Sequence, residues 1–314
     1  MEYLRSTYDA SFLSSDPLKF PRRYASPADR EVVAFLAAGF AFGNVKAIGA
    51  SLERLLKRPG DGGGGRSGKS ALYQSLSTAQ PPTCTVQGKG EFGGSPAAFC
   101  RAHAGRPPEW SGVAHRWIRG RDAAAAVCIL GRMLEGSGSI GEFFRAGDDP
   151  ASPDVAPGLE SFSVRALALA PGRVTRGVRS FFPRPSDGSA CKLLNLFLRW
   201  MARPDDGLDL GLWPHVRTSR LIIPLDVHMA RICRKARLTR RKSPGWRMAV
   251  DVTRRLRALD PEDPVKYDFA ITRLGILAVC VHGEAPEACG ICGLRRGKRP
   301  SDRREVGESE RRSV

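Results

Sequence analysis

Pro224-Leu225-Asp226-Val227-His228 places one carboxylate at the mouth of a helix whose following residues are strongly basic. From Arg231 to Arg247 the chain reads RICRKARLTRRKSPGWR, with eight Lys or Arg among seventeen residues and no Asp or Glu. A negative catalytic group set in a field that draws phosphate suits an enzyme working on nucleic acid. The same aspartate also suits an ordinary N-cap, accepting from free backbone N–H groups and complementing the helix dipole. Both readings stand at this point. His228, two positions on, can brace the local backbone or touch phosphate. Arg231, Arg234, Lys235, Arg240, Arg241 and Lys242 are candidates for binding a phosphate backbone. Helical spacing turns only a subset of them toward one strand.

The chain has 314 residues, enough to bury a sizeable core as one large domain or two smaller ones. Fifty basic against thirty-two acidic residues give a formal charge of +18, which favours a polyanionic partner without separating DNA from RNA or an anionic membrane. No apolar run reaches the roughly 18–20 residues that span a bilayer. The opening MEYLRSTYDASFL is mixed and acidic where an export signal is positive and then apolar. A cytoplasmic protein without membrane attachment is expected. Eight cysteines are too dilute for a small disulfide scaffold, so reduced thiols are expected.

The elements that must position these residues read as helices. Ser26-Pro27 starts the first, with Ser26 as cap, Pro27 at the first helical position and Asp29 and Glu31 in the opening turns. Val32, Val33, Phe35, Leu36 and Phe40 supply its buried face, and a second helix carries Ile48, Leu52 and Leu55. From Arg58 to about Gly112 the composition turns Gly- and Pro-rich and loses apolar periodicity, which reads as an irregular insertion. Helical pattern returns at Arg121, at Ile140 to Phe144, and at Leu159 to Leu169 with Phe162, Val164 and Leu167 on its apolar side. Lys192 lies in the first turn of a helix carrying Leu193, Phe197 and Trp200. Ser243-Pro244 begins a further helix, and Pro264 opens the last, which runs through Ile276. The fold class is all-α. The expected divisions are N-terminal helices over 1–57 packing with the C-terminal helix, the insertion over 58–112, a central helical region with the cleft over 113–258, a C-terminal helix and cysteine segment over 259–293, and a loose polar tail over 294–314.

Several stretches carry a resemblance: DPLKFPRRYASPADREVVAFLAAGFAFGNV near the start, HRW at His115 to Trp117, PSDGSACKLLNLFLRWMARPDDGLDLGLW from Pro185, and DPEDPVKYDFA from Asp260. Together they resemble a bacterial family of uncharacterised function, DUF2400. PLDVHMARICRKARL, with its Asp and His at a helix start, resembles the helix-hairpin-helix DNA glycosylases. That likeness implies a two-lobed glycosylase-like fold. Glycosylases of the usual endonuclease type carry a lysine about eighteen residues before the aspartate; Leu208 stands there, in DDGLDLG. The archaeal 8-oxoguanine glycosylases instead place it on a helix well upstream. Lys192, thirty-four residues before Asp226, matches that layout.

The resemblance implies a DNA-repair glycosylase of base excision repair acting on duplex DNA with a damaged base, an oxidised purine by likeness to the archaeal enzymes. Lys192 would attack the anomeric carbon, and a Schiff base would extend the activity to AP lyase. A lysine in a helix's first turn meets a dipole unfavourable to its charged form, while Asp226 can stabilise developing positive charge or assist proton transfer. The competing reading of Lys192 is a stem over the core with its head in solvent. A flipped base needs stacking partners. Phe181, Phe182, Trp200 and Trp213 are available, although large aromatics beside Leu-rich helices commonly belong to cores. Gly188 and Ser189 precede Lys192 where free N–H groups can hold phosphate, and the same residues make an ordinary turn.

Cys289-x-x-Cys292 has ligand-like spacing, and Cys280 extends it to Cys-x8-Cys-x2-Cys. Iron–sulfur glycosylases of the superfamily end in four cysteines, and no fourth follows Cys292. His282 offers a fourth ligand for structural zinc; a degenerate remnant is the alternative. The proposed chemistry itself requires no cofactor. A monomer is expected. The contrasting function is a non-enzymatic DNA- or RNA-binding protein on a degenerate glycosylase scaffold.

Overall fold

The computed structural model of the chain describes residues 13, 16–56, 94–110 and 113–276. Among these residues the protein is mainly helical, with one two-stranded antiparallel hairpin. In chain order the helices are α1 (Pro27–Gly39), α2 (Val45–Leu56), α3 (Pro96–Ala102), α4 (Gly120–Ser137), α5 (Ile140–Arg145), α6 (Ala156–Ala168), α7 (Arg176–Phe181), α8 (Lys192–Ala202), α9 (Val227–Lys235), α10 (Trp246–Arg257) and α11 (Asp268–Ile276). The hairpin pairs β1 (Ala114–His115) with β2 (Ile118–Arg119) just before α4. No helix among the described residues is long and apolar enough to cross a membrane.

Ten of the thirteen residues of α1 are buried, so it runs through the interior and is not a surface helix with one apolar stripe. Phe35 lies at the centre of a ring cluster, 5.3 Å from Phe182, 5.4 Å from Phe197 and 6.4 Å from Phe181 between centroids. α1 packs against α8, and Gly39 is what lets the Phe181 ring in, because a Cβ there would stand 2.5 Å from two of its ring carbons. Val164, expected on the apolar side of α6, is exposed.

Pro27 opens α1 as expected, but Ser26 makes no side-chain cap. The acidic residues of the opening turns also have another task. Asp29 Oδ1 accepts from Ser95 Oγ at 2.6 Å and from Ala97 N at 2.8 Å, capping α3. Glu31 Oε2 accepts from Ile140 N at 2.9 Å at the start of α5, while its Oε1 accepts from Trp213 Nε1 at 2.6 Å. Burial raises the Glu31 carboxyl above the usual range, against the hydrogen bonds from Trp213, Ile140 and Gly141. The segment read as irregular to Gly112 therefore contains a helix, α3, whose start is completed by a side chain from elsewhere in the chain.

α8 is clamped at its far end by buried charge. Arg199 pairs with Asp209 at 3.0 Å and with Asp268 of α11 at 2.5 Å; Arg203 pairs with Asp209 and, at 2.9 Å, with Asp263. Burial pushes the Asp268 carboxyl up to about 6, against the attraction of Arg199. DDGLDLG is thus a charged structural turn, and Leu208 is buried in it. Two helix starts differ from expectation. α10 begins at Trp246, whose N–H donates to Gly188 O at 3.1 Å, and α11 begins at Asp268 after turns that follow Pro264.

Candidate active site

Leu221 to Leu225 form a buried extended run, and Pro224 keeps Ile223 out of helical geometry. The chain then turns into α9 at Asp226, whose Oδ1 accepts from Met229 N at 2.8 Å. This is a true N-cap. A carboxylate has two oxygens, and the second is turned elsewhere: Asp226 Oδ2 lies 3.6 Å from Lys192 Nζ. Cap and chemical partner, alternatives in the sequence, are compatible in one residue.

Lys192 is the first residue of α8. Cys191 before it adopts φ +47°, a left-handed conformation costly for a side-chain-bearing residue. Lys192 Nζ also donates to Ala41 O, just beyond α1, at 2.6 Å. The amine is therefore held between a carboxylate from α9 and a carbonyl following α1. Both charged side chains keep about a quarter of their surface in solvent, 25% and 28%, so the pair sits at an opening and not in the core.

Gly188, with φ +75°, and Ser189 form the turn ahead of α8. Ser189 Oγ accepts from Cys191 N at 3.1 Å, and Gly188 is tied to the start of α10 through its carbonyl. His228, Arg234, Lys235, Arg240, Arg241 and Lys242 are exposed and Arg231 is half-buried. Arg241 is committed to Asp251 at 2.6 Å, and Arg234 donates to the Lys242 carbonyl at 3.3 Å.

The four expected stacking residues are elsewhere. Phe181, Phe182, Trp200 and Trp213 each expose 1% or less, and Trp213 is further fixed by Glu31. Phe181 and Trp200 lie on the core sides of α7 and α8, Phe182 follows directly on α7, and Trp213 is buried from the loop beyond α8. A cavity of about 510 Å³ lies between Pro107 to Trp110, the start of α4 and the Ala170 to Thr175 loop, and neither Lys192 nor Asp226 lines it. Cys280, His282, Cys289 and Cys292 lie outside the described residues. Among the described residues, no three His, Cys, Asp or Glu side chains gather as a metal site. Cys100, Cys128, Cys191 and Cys233 are free, buried thiols.

Two participants were not anticipated. The Ala41 carbonyl has no side-chain signature in any sequence. The other is Phe42, next in the chain, on which Trp117 stacks at 4.5 Å with planes 8° apart. The one sequence signal near it is the HRW triplet, His115 to Trp117, which carries Trp117. His115 Nε2 donates to Phe42 O at 2.7 Å, since a carbonyl can only accept, and Ser51 Oγ lies 3.1 Å from Nδ1.

No curated protein and no solved structure matches the chain. The chain belongs to the family described as protein of unknown function (DUF2400), whose pattern matches residues 16–66 and 88–277.

Proposed function

We propose, from the geometry of the pair and the likeness of PLDVHMARICRKARL to the helix-hairpin-helix glycosylases, that the protein is a DNA-repair glycosylase excising an oxidised purine from duplex DNA. The observation that carries the reading is the 3.6 Å approach of Lys192 Nζ to Asp226 Oδ2 across two helix entrances, beside an exposed basic stretch. In this reading those entrances border a cleft between two helical lobes, the arrangement of helix-hairpin-helix glycosylases.

The unprotonated Lys192 amine attacks the sugar C1′, and the glycosidic C–N bond breaks with its electron pair leaving on the base, which takes up a proton. Asp226 Oδ2 receives the proton that the attacking nitrogen sheds and stabilises positive charge on the sugar. Ring opening gives an imine on Lys192. Loss of the 2′ proton then expels the 3′ phosphate, which is the AP-lyase step, and water releases the enzyme. These steps call on no cofactor. Exposed Lys235, Arg240 and Lys242 hold the DNA backbone, giving an affinity that falls with added salt.

The test is incubation with duplexes carrying 8-oxoguanine and other lesions, with borohydride present to reduce the imine. A covalent adduct in the native chain that is lost in Lys192→Gln is the expected result. No base release across a broad lesion panel sinks the glycosylase reading, and release without trapping removes the lyase step.

A second reading, a non-enzymatic DNA- or RNA-binding protein, draws on the short Lys192 bond to Ala41 O and on the burial of all four large aromatics. It requires salt-dependent binding with no base release.

A further inference from the structure

We infer that Trp117, stacked on Phe42 and flanked by Arg116 and Arg176, is a platform for an unstacked base of the bound nucleic acid. The inference deepens the proposed function and rests on its nucleic-acid partner, though not on its chemistry.

Trp117 is 40% exposed, and the other exposed large hydrophobics among the described residues, Val164, Val227 and Leu259, are aliphatic. It stands at the second position of the two-residue loop joining β1 to β2. The first position, Arg116, has φ +54°, a conformation that hairpin loops ordinarily give to Gly or Asn. A strained Arg-Trp tip is costly to the fold, and such strain collects at binding sites.

The indole does not swing loosely. One face lies on Phe42, and Phe42 is in turn held through its carbonyl by His115, which also meets Ser51 of α2. The guanidinium carbons of Arg116 and Arg176 stand 5.8 and 5.9 Å from the ring centroid. That is the outer limit of a cation–π contact, weak enough for these two exposed side chains over the ring to give way to a flat guest. Arg176 is exposed at the start of α7, and the cavity-lining Thr175 precedes it. An aromatic face between two cations fits a base with its adjoining phosphates, and stacking of this kind accepts any base.

The position ties the platform to the candidate site. Phe42 follows Ala41, whose carbonyl holds the Lys192 amine, so the stack begins one residue from that contact. A strand whose sugar reaches Lys192 therefore has an aromatic surface beside it for a neighbouring or displaced base.

The test uses the full chain and a fluorescein-labelled oligothymidylate dodecamer, with affinity read by anisotropy. Trp117→Ala is expected to weaken binding about tenfold or more, and Trp117→Phe to stay within about threefold of the native chain. Arg176→Gln is expected to give a shallower dependence on salt. With 2-aminopurine in the strand, the quenching seen with the native chain should vanish in Trp117→Ala. Because Trp117 is exposed, thermal melts of the variants should match the native chain, which separates loss of binding from loss of fold. Trp117→Ala binding as tightly as the native chain overturns the platform, as does a native chain that does not bind. Base release that survives Trp117→Ala with unchanged binding leaves the glycosylase reading standing without the platform. Trp117-dependent binding with no base release on any lesion leaves the platform without the glycosylase.

Discussion

Asp226 divides its two oxygens between Met229 N, at 2.8 Å, and Lys192 Nζ, at 3.6 Å. The division lets structure and chemistry be separated by mutation. Asp226→Asn keeps a carbonyl oxygen for the cap and loses the charge, so its stability should stay within about 0.5 kcal/mol of the native chain. Asp226→Ala loses the cap as well and should cost about 1 kcal/mol. Both should lower base release by about 100-fold or more. Urea midpoints beside single-turnover rates check this, and equal rates in Asn and native chains would remove Asp226 from the chemistry.

Two of the donors to buried Glu31 are Ile140 N and Trp213 Nε1. Glu31→Ala orphans both and should cost about 2–6 kcal/mol, at roughly 1–3 for each stranded donor. Glu31→Gln keeps one acceptor oxygen and should lose roughly half as much. Denaturant titration of the two variants gives the comparison.

The burial of Asp268 predicts a pH dependence whose sign follows from the upward direction of its shift. Burial holds its carboxyl at about 6 despite Arg199, whereas the unfolded chain titrates near ~3.9. Between about pH 4 and 6 the folded state binds the extra proton, so this group's contribution is full below pH 4 and is lost as the pH rises through 6. Asp268→Asn cannot titrate. Native stability minus variant stability should therefore fall by an amount of order 1–3 kcal/mol from pH 4 to pH 7. A difference that is flat or rises over that interval contradicts the assignment.

The basic stretch should divide by pairing. Lys235→Gln, Arg240→Gln and Lys242→Gln combined should reduce the slope of log affinity against log salt by up to ~0.9 for each lost phosphate contact. Arg241→Gln should change it less, because that guanidinium is already held by Asp251 at 2.6 Å. Anisotropy titrations at several salt concentrations measure both.

Arg116→Gly relaxes a positive φ while removing one of the cations beside Trp117. The variant is expected to be as stable as the native chain or up to about 1 kcal/mol more stable, and to bind DNA more weakly. Weaker binding without a lower melting temperature is the signature that a merely structural arginine would not give.

Signals that act within one helical turn are legible at Pro27 and Asp226, though Ser26 makes no cap, and partners from distant segments are not. Pro27 marks the start of α1 and Asp226 caps α9 because both effects act within one turn of helix. α3 carries a local start signal, Ser95-Pro96, but it is only seven residues long and sits in a Gly- and Pro-rich stretch with no apolar period to set it off, and Asp29, 66 residues before Ser95, supports its start. The beginning of α10 moved past Ser243-Pro244 because Trp246 N finds Gly188 O, a partner from another part of the chain. The aromatics available for stacking on a base lie in the core for a similar reason. Apolar spacing says that a face is covered, but not whether protein or ligand covers it.

α1 starts two other helices in the same way. In α3 the serine cap Ser95 serves Ala98 N and Asp29 serves Ala97 N; in α5 Ser139 serves Glu142 N and Glu31 serves Ile140 N. Each helix thus has a lock of its own and a second lock whose key is carried by α1. Withdrawing α1 opens both at once, so the amide protons of Ala97 and Ile140, far apart in the chain, should exchange with solvent at a common rate set by the undocking of a third segment.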